Sequence, residues 1–183
     1  ESADVICYGS LASRHPESAH TIAQCIEATS PTCVRIFDVN LRQNYFDGEL
    51  RHKLLKLSTV LKLNDEELLV VSELLFLSGS ETTLLELLQH AYDLDLVILT
   101  KGEYGSRLFS MEKGDSILEG HDIKVVDTVG AGDSFTAAVA TGLSLDMPLD
   151  KIHHFASNIA AYVCSQAGAT PELPQLGELV YKH

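Results

Sequence analysis

The sequence is poor in several features that define particular protein classes. It contains no tryptophan, and its 13 Lys and Arg are outnumbered by 26 Asp and Glu, so the formal net charge is −13. Binding to nucleic acid or to an anionic membrane needs a basic surface, which so acidic a chain lacks. It also has no apolar run near the roughly 18–20 residues that span a bilayer. We therefore expect neither nucleic acid nor a membrane as a partner.

Cysteine is scarce as well. The four cysteines are Cys7, Cys25, Cys33 and Cys164, and no two of them form a CxxC pair. Zinc sites and disulfide scaffolds show closer and more regular spacing. The scattered positions therefore predict four reduced thiols and a cytoplasmic location.

Short apolar runs are abundant, and they alternate with amphipathic segments. This pattern predicts strands at residues 4–8, 33–39, 59–63, 96–100, 106–110 and 123–126, and helices at 16–29, 49–57, 81–92, 133–145 and 151–166. A further helix is predicted to start at residues 64–67. Strands that alternate with helices favour an α/β fold with a mostly parallel sheet covered on both faces. The chain begins almost directly in a strand, which we expect of a piece of a longer protein.

The stretch with the clearest chemical content is Asp-Thr-Val-Gly-Ala-Gly-Asp-Ser-Phe at residues 127–135, which opens an alanine-rich helix. Small residues let the backbone approach a ligand, and the free amides at a helix start favour a phosphoryl group. Asp133 would then accept the proton of a hydroxyl group that attacks this phosphoryl group. The alternative is a tight turn in which Asp133 only caps the helix.

This stretch resembles the second signature of the ribokinase-like (pfkB) carbohydrate kinases. Four other segments resemble family motifs and occur in the family order: residues 37–42, 62–67, 100–106 and 160–169. The Asp-x-Asn-x-Arg pattern at residues 38–42 is similar to the fructokinase and 2-keto-3-deoxygluconate kinase branch. The resemblance implies a ribokinase-like three-layer α/β/α fold. It also implies that residues 1–183 are the C-terminal ATP-binding portion of such a kinase domain, with the N-terminal part and its lid missing.

The resemblance implies roles for the residues that match these motifs. Asp133 would be the catalytic base, and the amides around Gly130, Ala131 and Gly132 would form the anion hole for the γ-phosphoryl group. Asn64 would lie near the phosphates, and Glu67 would act on Mg²⁺ through water. The alternative for Glu67 is that it merely belongs to an acidic helix start.

Further residues would contact the substrates. Thr100, Gly102 and Gly105 would form the nucleotide-edge turn, unless this segment is a plain hairpin connection. Asn158 would present its side chain to the nucleotide, or it is an incidental polar residue. Arg42 would bind a phosphate or an acidic sugar through its guanidinium group, or it lies on the surface after its strand.

Two further features are less decisive. Asp127 and the Val129 carbonyl match part of the monovalent-cation site of many family members, but Val129 replaces a common Thr. We therefore leave open whether the protein binds a monovalent cation. His153 and His154 are adjacent on a predicted helix and therefore point in different directions. We interpret these histidines as helix decoration and not as a metal-binding pair.

Together these features imply an ATP-dependent sugar kinase that uses Mg²⁺ and a small-molecule sugar, most like a fructokinase. The alternatives are 2-keto-3-deoxygluconate kinase, a nucleoside kinase of the same fold, and a nucleotide-binding remnant without phosphotransfer activity. We expect the isolated chain to be inactive or nearly so, because the sugar-binding part of the family is absent. A homo-oligomer of the full-length protein is compatible with the resemblance.

Overall fold

The computed structural model describes residues 3–41 and 48–174. Its six strands are β1 (Val5–Gly9), β2 (Val34–Asp38), β3 (Val60–Asn64), β4 (Leu96–Thr100), β5 (Ser106–Ser110) and β6 (Gly114–Leu118). Its six α-helices are α1 (Pro16–Glu27), α2 (Gly48–Leu57), α3 (Asp65–Leu74), α4 (Glu81–Tyr92), α5 (Ala131–Ser144) and α6 (Leu149–Cys164). Short 3₁₀ helices lie at Ala12–Arg14 and Gly102–Tyr104.

The six strands form one mostly parallel sheet in the order β1-β2-β3-β4-β5-β6. β1 and β2 are parallel, with Gly9 opposite Asp38, and β2 and β3 are parallel, with Asp38 opposite Lys62. This register brings the carboxyl ends of the first three strands to the same edge, where ligand crevices open in α/β sheets. The predicted α/β fold class is confirmed.

The chain divides into two compact units. The first unit comprises residues 1–99 with 109–114, and the second comprises residues 100–108 with 115–183. The core of the first unit is built from apolar side chains of β1 to β4 and α1 to α4, and β3 is buried at four of its five positions. Strands buried in this way need helices on both faces, as the sequence pattern predicted.

The second unit is organised around the α5–α6 pair. Gly142 in α5 lets the two helices approach, because a Cβ atom at this position would lie 2.7 Å from Cγ1 of Ile152 in α6. The buried side chains of this pair are Phe135, Thr136, Ala138, Val139, Ile152, His153, Phe155, Ala156, Ser157, Ile159 and Val163. In the described residues, none of the helices is both long and apolar enough to cross a membrane.

One strand prediction is wrong, and one strand was not predicted. Residues 123–126 form no strand, and the amide of Val126 instead donates to the carbonyl of Cys164 at the end of α6, at 2.8 Å. Val125 and Val126 are each 55% exposed, so these apolar residues do not mark a buried strand. β6 was not predicted because its sequence, Gly-Asp-Ser-Ile-Leu, lacks an apolar run. In β1, Cys7 is exposed, because β1 stands at one end of the strand order.

Candidate active site

An enclosed ion pair joins the last residue of β2 to the middle of β3. Lys62 Nζ lies 3.0 Å from Asp38 Oδ1 and 2.9 Å from Asp38 Oδ2. The two side chains are only 9% and 14% exposed. A pair this well enclosed fixes the strand ends, because removing either partner would leave a buried charge. Asp38 therefore organises the strand edge and is not presented freely to a ligand.

Helix α3 begins with a complete capping box. Asn64 Oδ1 accepts the Glu67 amide at 2.8 Å, and Glu67 Oε2 accepts the Asn64 amide at 2.9 Å. Glu67 Oε1 accepts a third amide, that of Leu41, at 2.7 Å. The sequence predicted a helix start here, and the reciprocal bonds explain why Asn and Glu stand three residues apart.

These bonds define what Glu67 can do. Its side chain is 5% exposed, and each carboxylate oxygen already accepts a backbone amide. Glu67 thus ties α3 to the segment that follows β2, so its part in the capping box is established by geometry. Its role toward Mg²⁺ stays a prediction, as does that of Asn64 toward phosphate. Arg42 lies outside the described residues.

The start of α5 is built differently. The N-cap residue is Gly130, with φ 84° and ψ −8°, and no side chain of the described residues caps the helix. A Cβ atom at Gly130 would clash with the carbonyl oxygen of Ala169 and lie 2.9 Å from its Cα atom. Glycine is required here both by the backbone angle and by the close approach of residue 169. The alternative in which Asp133 caps the helix is wrong, because Asp133 is the third residue of α5.

Asp127 holds the loop that leads into α5. Its Oδ1 accepts the Val129 amide at 3.0 Å, and its Oδ2 accepts the Gly168 amide at 3.1 Å. The hydrogen bonds from Val129 and Gly168 lower the pKa of Asp127 below its ordinary value, because they stabilise the carboxylate. The charged Asp127 therefore fastens Val129 and Gly168 on both sides of Gly130 and sets the shape of the helix start.

The first turn of α5 presents donors and a carboxylate together. The first intrahelical bond runs from the Ser134 amide to the Gly130 carbonyl, at 2.8 Å. Among the described residues, the amides of Gly132 and Asp133 have no acceptor, as is usual at an uncapped helix start. The Asp133 side chain is exposed and forms no ion pair with the described residues. The arrangement can bind an anion next to a free carboxylate.

The segment from Thr100 to Gly105 forms a compact turn between β4 and β5. Its backbone closes through Lys101 N to Gly105 O at 2.8 Å and Tyr104 N to Lys101 O at 3.0 Å. A Cβ atom at Gly105 would clash with the Leu118 carbonyl oxygen and lie 2.7 Å from the carbonyl carbon of Glu119. Glycine at this position therefore serves close backbone packing. The predicted nucleotide contacts of Thr100, Gly102 and Gly105 stay predictions.

Helix α6 carries one residue that was predicted to contact the nucleotide and one histidine whose burial was not predicted. Asn158 is partly buried, and its contact with the nucleotide stays a prediction. His153 is 0% exposed, so its interpretation as helix decoration is wrong, whereas His154 is exposed. The signal was available, because His153 shares the apolar face of the helix with Ile152, Ala156 and Ile159. No group of three or more metal-binding side chains occurs in the described part of the chain.

Comparison with known proteins identifies the family. Residues 1–176 match the family described as pfkB family carbohydrate kinase. The chain belongs to this family. Among curated relatives of this pfkB chain, a fructokinase of Solanum tuberosum is 30% identical over 189 residues, which cover 97% of this chain and 55% of the potato protein. The chain spans little more than half the length of the first curated relatives it matches.

Solved structures share the fold of this pfkB family chain. A fructokinase from Vibrio cholerae O395, in fructose, ADP and calcium ion bound form, has a TM-score of 0.77 and 22% identity, covering 96% of this chain and 60% of the other. An Escherichia coli protein named ribokinase II, in complex with ATP and Mg²⁺, has a TM-score of 0.84 and 19% identity, covering 96% and 57%. These likenesses confirm the predicted ribokinase-like fold.

Proposed function

We propose that this chain is the ATP-binding part of a carbohydrate kinase that transfers the γ-phosphoryl group of ATP to a hydroxyl group of fructose. The observation that carries the proposal is the start of α5, where amides without an acceptor among the described residues and the exposed Asp133 carboxylate lie in one helical turn. Few other chemistries need an anion-binding helix start and a carboxylate side by side. Membership of the pfkB family supports the same reaction class.

In the proposed reaction Asp133 is the general base. The carboxylate accepts the proton of the attacking sugar hydroxyl as the new oxygen–phosphorus bond forms and the bond to the ADP oxygen breaks. Asp133 is suited to this step because it is exposed and has no ion-pair partner among the described residues. A carboxylate already committed to a cation would be a weaker proton acceptor.

The amides of the first turn of α5 stabilise the charge that develops on the phosphoryl oxygens. Gly132 and Asp133 supply backbone donors that need no rearrangement, which is what makes such groups effective in a transition state. Gly130 and Asp127 contribute indirectly by fixing the backbone of the loop. Thr100, Gly102, Gly105 and Asn158 are proposed to contact the nucleotide, and Arg42 the acceptor sugar.

Mg²⁺ would enter this reaction with the nucleotide. The described residues offer no protein cage for the ion, and both oxygens of Glu67 already accept amides. Mg²⁺ keeps several waters and binds nucleotide phosphates in such sites, so a dedicated set of protein ligands is not required. Glu67 would act on the ion through a water molecule, because both of its oxygens already accept backbone amides. We assign no step of the reaction to the ion.

Two measurements test the proposed function. Calorimetry with a non-hydrolysable ATP analogue and Mg²⁺ should show binding to the folded chain, and absence of binding at millimolar concentration would contradict it. A coupled assay of ADP release should then compare fructose with 2-keto-3-deoxygluconate as acceptor, in the full-length protein of which this chain is proposed to be the ATP-binding part. We expect the 183-residue chain to turn over far below the ~1–100 s⁻¹ of ordinary kinases. Faster turnover with 2-keto-3-deoxygluconate than with fructose would contradict the proposed acceptor.

A further inference from the structure

The buried imidazole of His153 joins two strands of the second unit to helix α6. Its Nε2 atom lies 2.8 Å from the hydroxyl of Ser106, the first residue of β5, and its Nδ1 atom lies 2.7 Å from the hydroxyl of Ser116 in β6. A serine hydroxyl can donate or accept, so both bonds are satisfied in either tautomer of the neutral ring. The ring is therefore fully paired while completely enclosed.

The two serines stand beside a tight backbone contact. Ser106 directly follows Gly105, the last residue of the turn that begins at Thr100, and Ser116 precedes the segment from Leu118 to Gly120. A Cβ atom at Gly105 would lie 2.7 Å from the Glu119 carbonyl carbon, and one at Gly120 would lie 2.6 Å from the Glu103 carbonyl carbon. The imidazole thus bonds to both strands whose ends form this contact, and each bond lies within a few residues of it.

The ring also contacts the helix that carries Asp133. The Phe135 ring lies edge-on to the His153 ring, with centroids 6.3 Å apart and an interplanar angle of 77°. Phe135 is 4% exposed and follows Asp133 by two residues. Burial lowers the pKa of His153 to about 4, so the ring is neutral near pH 7. We call His153 and its two partners, Ser106 and Ser116, the polar junction.

We propose that His153 is a positioning residue for nucleotide binding, which holds the turn from Thr100 to Gly105 in place through Ser106 and Ser116. This inference rests on the proposed function, because it assigns the turn to the base and ribose of ATP. A buried histidine that bonds to two serines constrains the local structure more than an apolar side chain would, because both hydroxyl groups must stay within hydrogen-bonding distance of the ring. The polar junction defines where β5 begins, and thereby where the turn ends.

The test compares two variants that break the junction with two that do not. His153→Phe keeps an aromatic ring but removes both hydrogen bonds, and Ser106→Ala removes only the bond nearest the turn. Ile152→Val deletes one methylene group from a buried neighbour in the same helix, and His154→Gln changes an exposed neighbour. Two junction variants are used so that the failure of one to fold leaves the other to decide.

The first readout needs no ligand. Amide hydrogen exchange of Lys101, Tyr104 and Gly105 reports the hydrogen bonds that close the turn. We expect exchange about tenfold faster in Ser106→Ala, the effect of losing one hydrogen bond, and at least as fast in His153→Phe, which loses both. We expect no change in His154→Gln. Equal acceleration in Ile152→Val would overturn the inference, because exchange would then follow general stability.

The second readout distinguishes the contribution of the base and ribose to binding from that of the phosphates. Calorimetry should give a Kd for ADP with Mg²⁺ that rises about tenfold in the junction variants, while the Kd for tripolyphosphate with Mg²⁺ stays unchanged. Equal weakening of both ligands, or an unchanged Kd for ADP, would overturn the positioning role and leave the proposed function intact. A parent chain that binds neither ligand would overturn the proposed function, and this inference with it.

Discussion

The starts of helices α3 and α5 differ in what closes them, although both carry acidic residues in the first turn. At α3, the side chains of Asn64 and Glu67 close the start with reciprocal bonds, and Glu67 also accepts the amide of Leu41. At α5, Gly130 is the N-cap residue, no side chain in the described part of the chain bonds to the first amides, and Asp133 is exposed. The comparison shows that acidic residues in the first turn of a helix can serve two purposes. A closed start stabilises the fold, and an open start leaves donors for a ligand.

The largest expected effect separates activity from stability at the open start. In the full-length protein, Asp133→Asn should lower kcat for phosphoryl transfer by ~10²–10⁴, roughly 3–5 kcal/mol of barrier, because the amide cannot accept the proton. The free energy of unfolding should hardly change, since Asp133 is exposed, and affinity for ATP should stay the same or rise. Steady-state assays and denaturant unfolding measure both quantities. A kcat within a few-fold of the parent value would exclude Asp133 as the base.

The reverse result is expected at the closed start. Glu67→Ala should lower the free energy of unfolding by about 3 kcal/mol, because the partly buried amides of Asn64 and Leu41 both lose their acceptor. Its exposed neighbour offers a matched control, and Glu66→Ala should change stability by less than about 0.5 kcal/mol. Urea unfolding of both variants gives the values. Equal effects of the two substitutions would show that the capping box does not stabilise the chain.

Acid should weaken the unit that carries the open start through His153. Burial lowers the pKa of this residue from 6.5 to about 4, so the unfolded chain binds more protons between these values. The contribution is fully present above pH 6.5 and is lost as the pH falls toward 4, by about 3 kcal/mol in total. Between pH 4 and 6.5 the free energy of unfolding should increase with pH. This pH dependence should disappear in His153→Phe and persist in His154→Gln. A slope of the parent size in His153→Phe would assign it to other groups.

A smaller and more specific effect distinguishes two glycines beside the open start. Gly130 and Gly168 have nearly the same φ, 84° and 83°, but only Gly130 faces a close neighbour, the backbone of Ala169. Gly168→Ala should lower the free energy of unfolding by about 1 kcal/mol, the strain of a left-handed residue, and Gly130→Ala by about 2 kcal/mol more. Thermal or urea unfolding tests the difference. Equal losses would mean that the approach of Ala169 does not constrain the loop.

The sequence predicted the fold well because its apolar runs are short and regularly spaced. β4, β5 and α4 have the predicted limits, and the helix start at Asn64 was predicted from its acidic first turn. The errors arise where pairing depends on distant residues. Residues 123–126 look like a strand, but Val126 and Asp127 bond to the end of α6. β6 forms in spite of its polar sequence, with Asp115 pairing to Arg107 in β5 at 2.7 Å.

The candidate site was less predictable for the same reason. The motif at residues 127–135 identified an open helix start from local sequence, because glycine and small residues have local consequences there. The third bond of Glu67, to Leu41, joins residues 26 positions apart, and the bonds of His153 to Ser106 and Ser116 span 47 and 37 positions. No spacing rule within one element reveals such contacts. They depend on how the strands and helices pack.

One measurement tests most directly whether the open start of α5 is the phosphate-binding site. Backbone amide chemical shifts should be followed while a non-hydrolysable ATP analogue with Mg²⁺ is added to the chain. We predict that the chemical shifts of the Gly132 and Asp133 amides change most, since these amides are donors without an acceptor among the described residues. Saturable binding of the nucleotide that leaves these two amides unmoved would contradict the central claim.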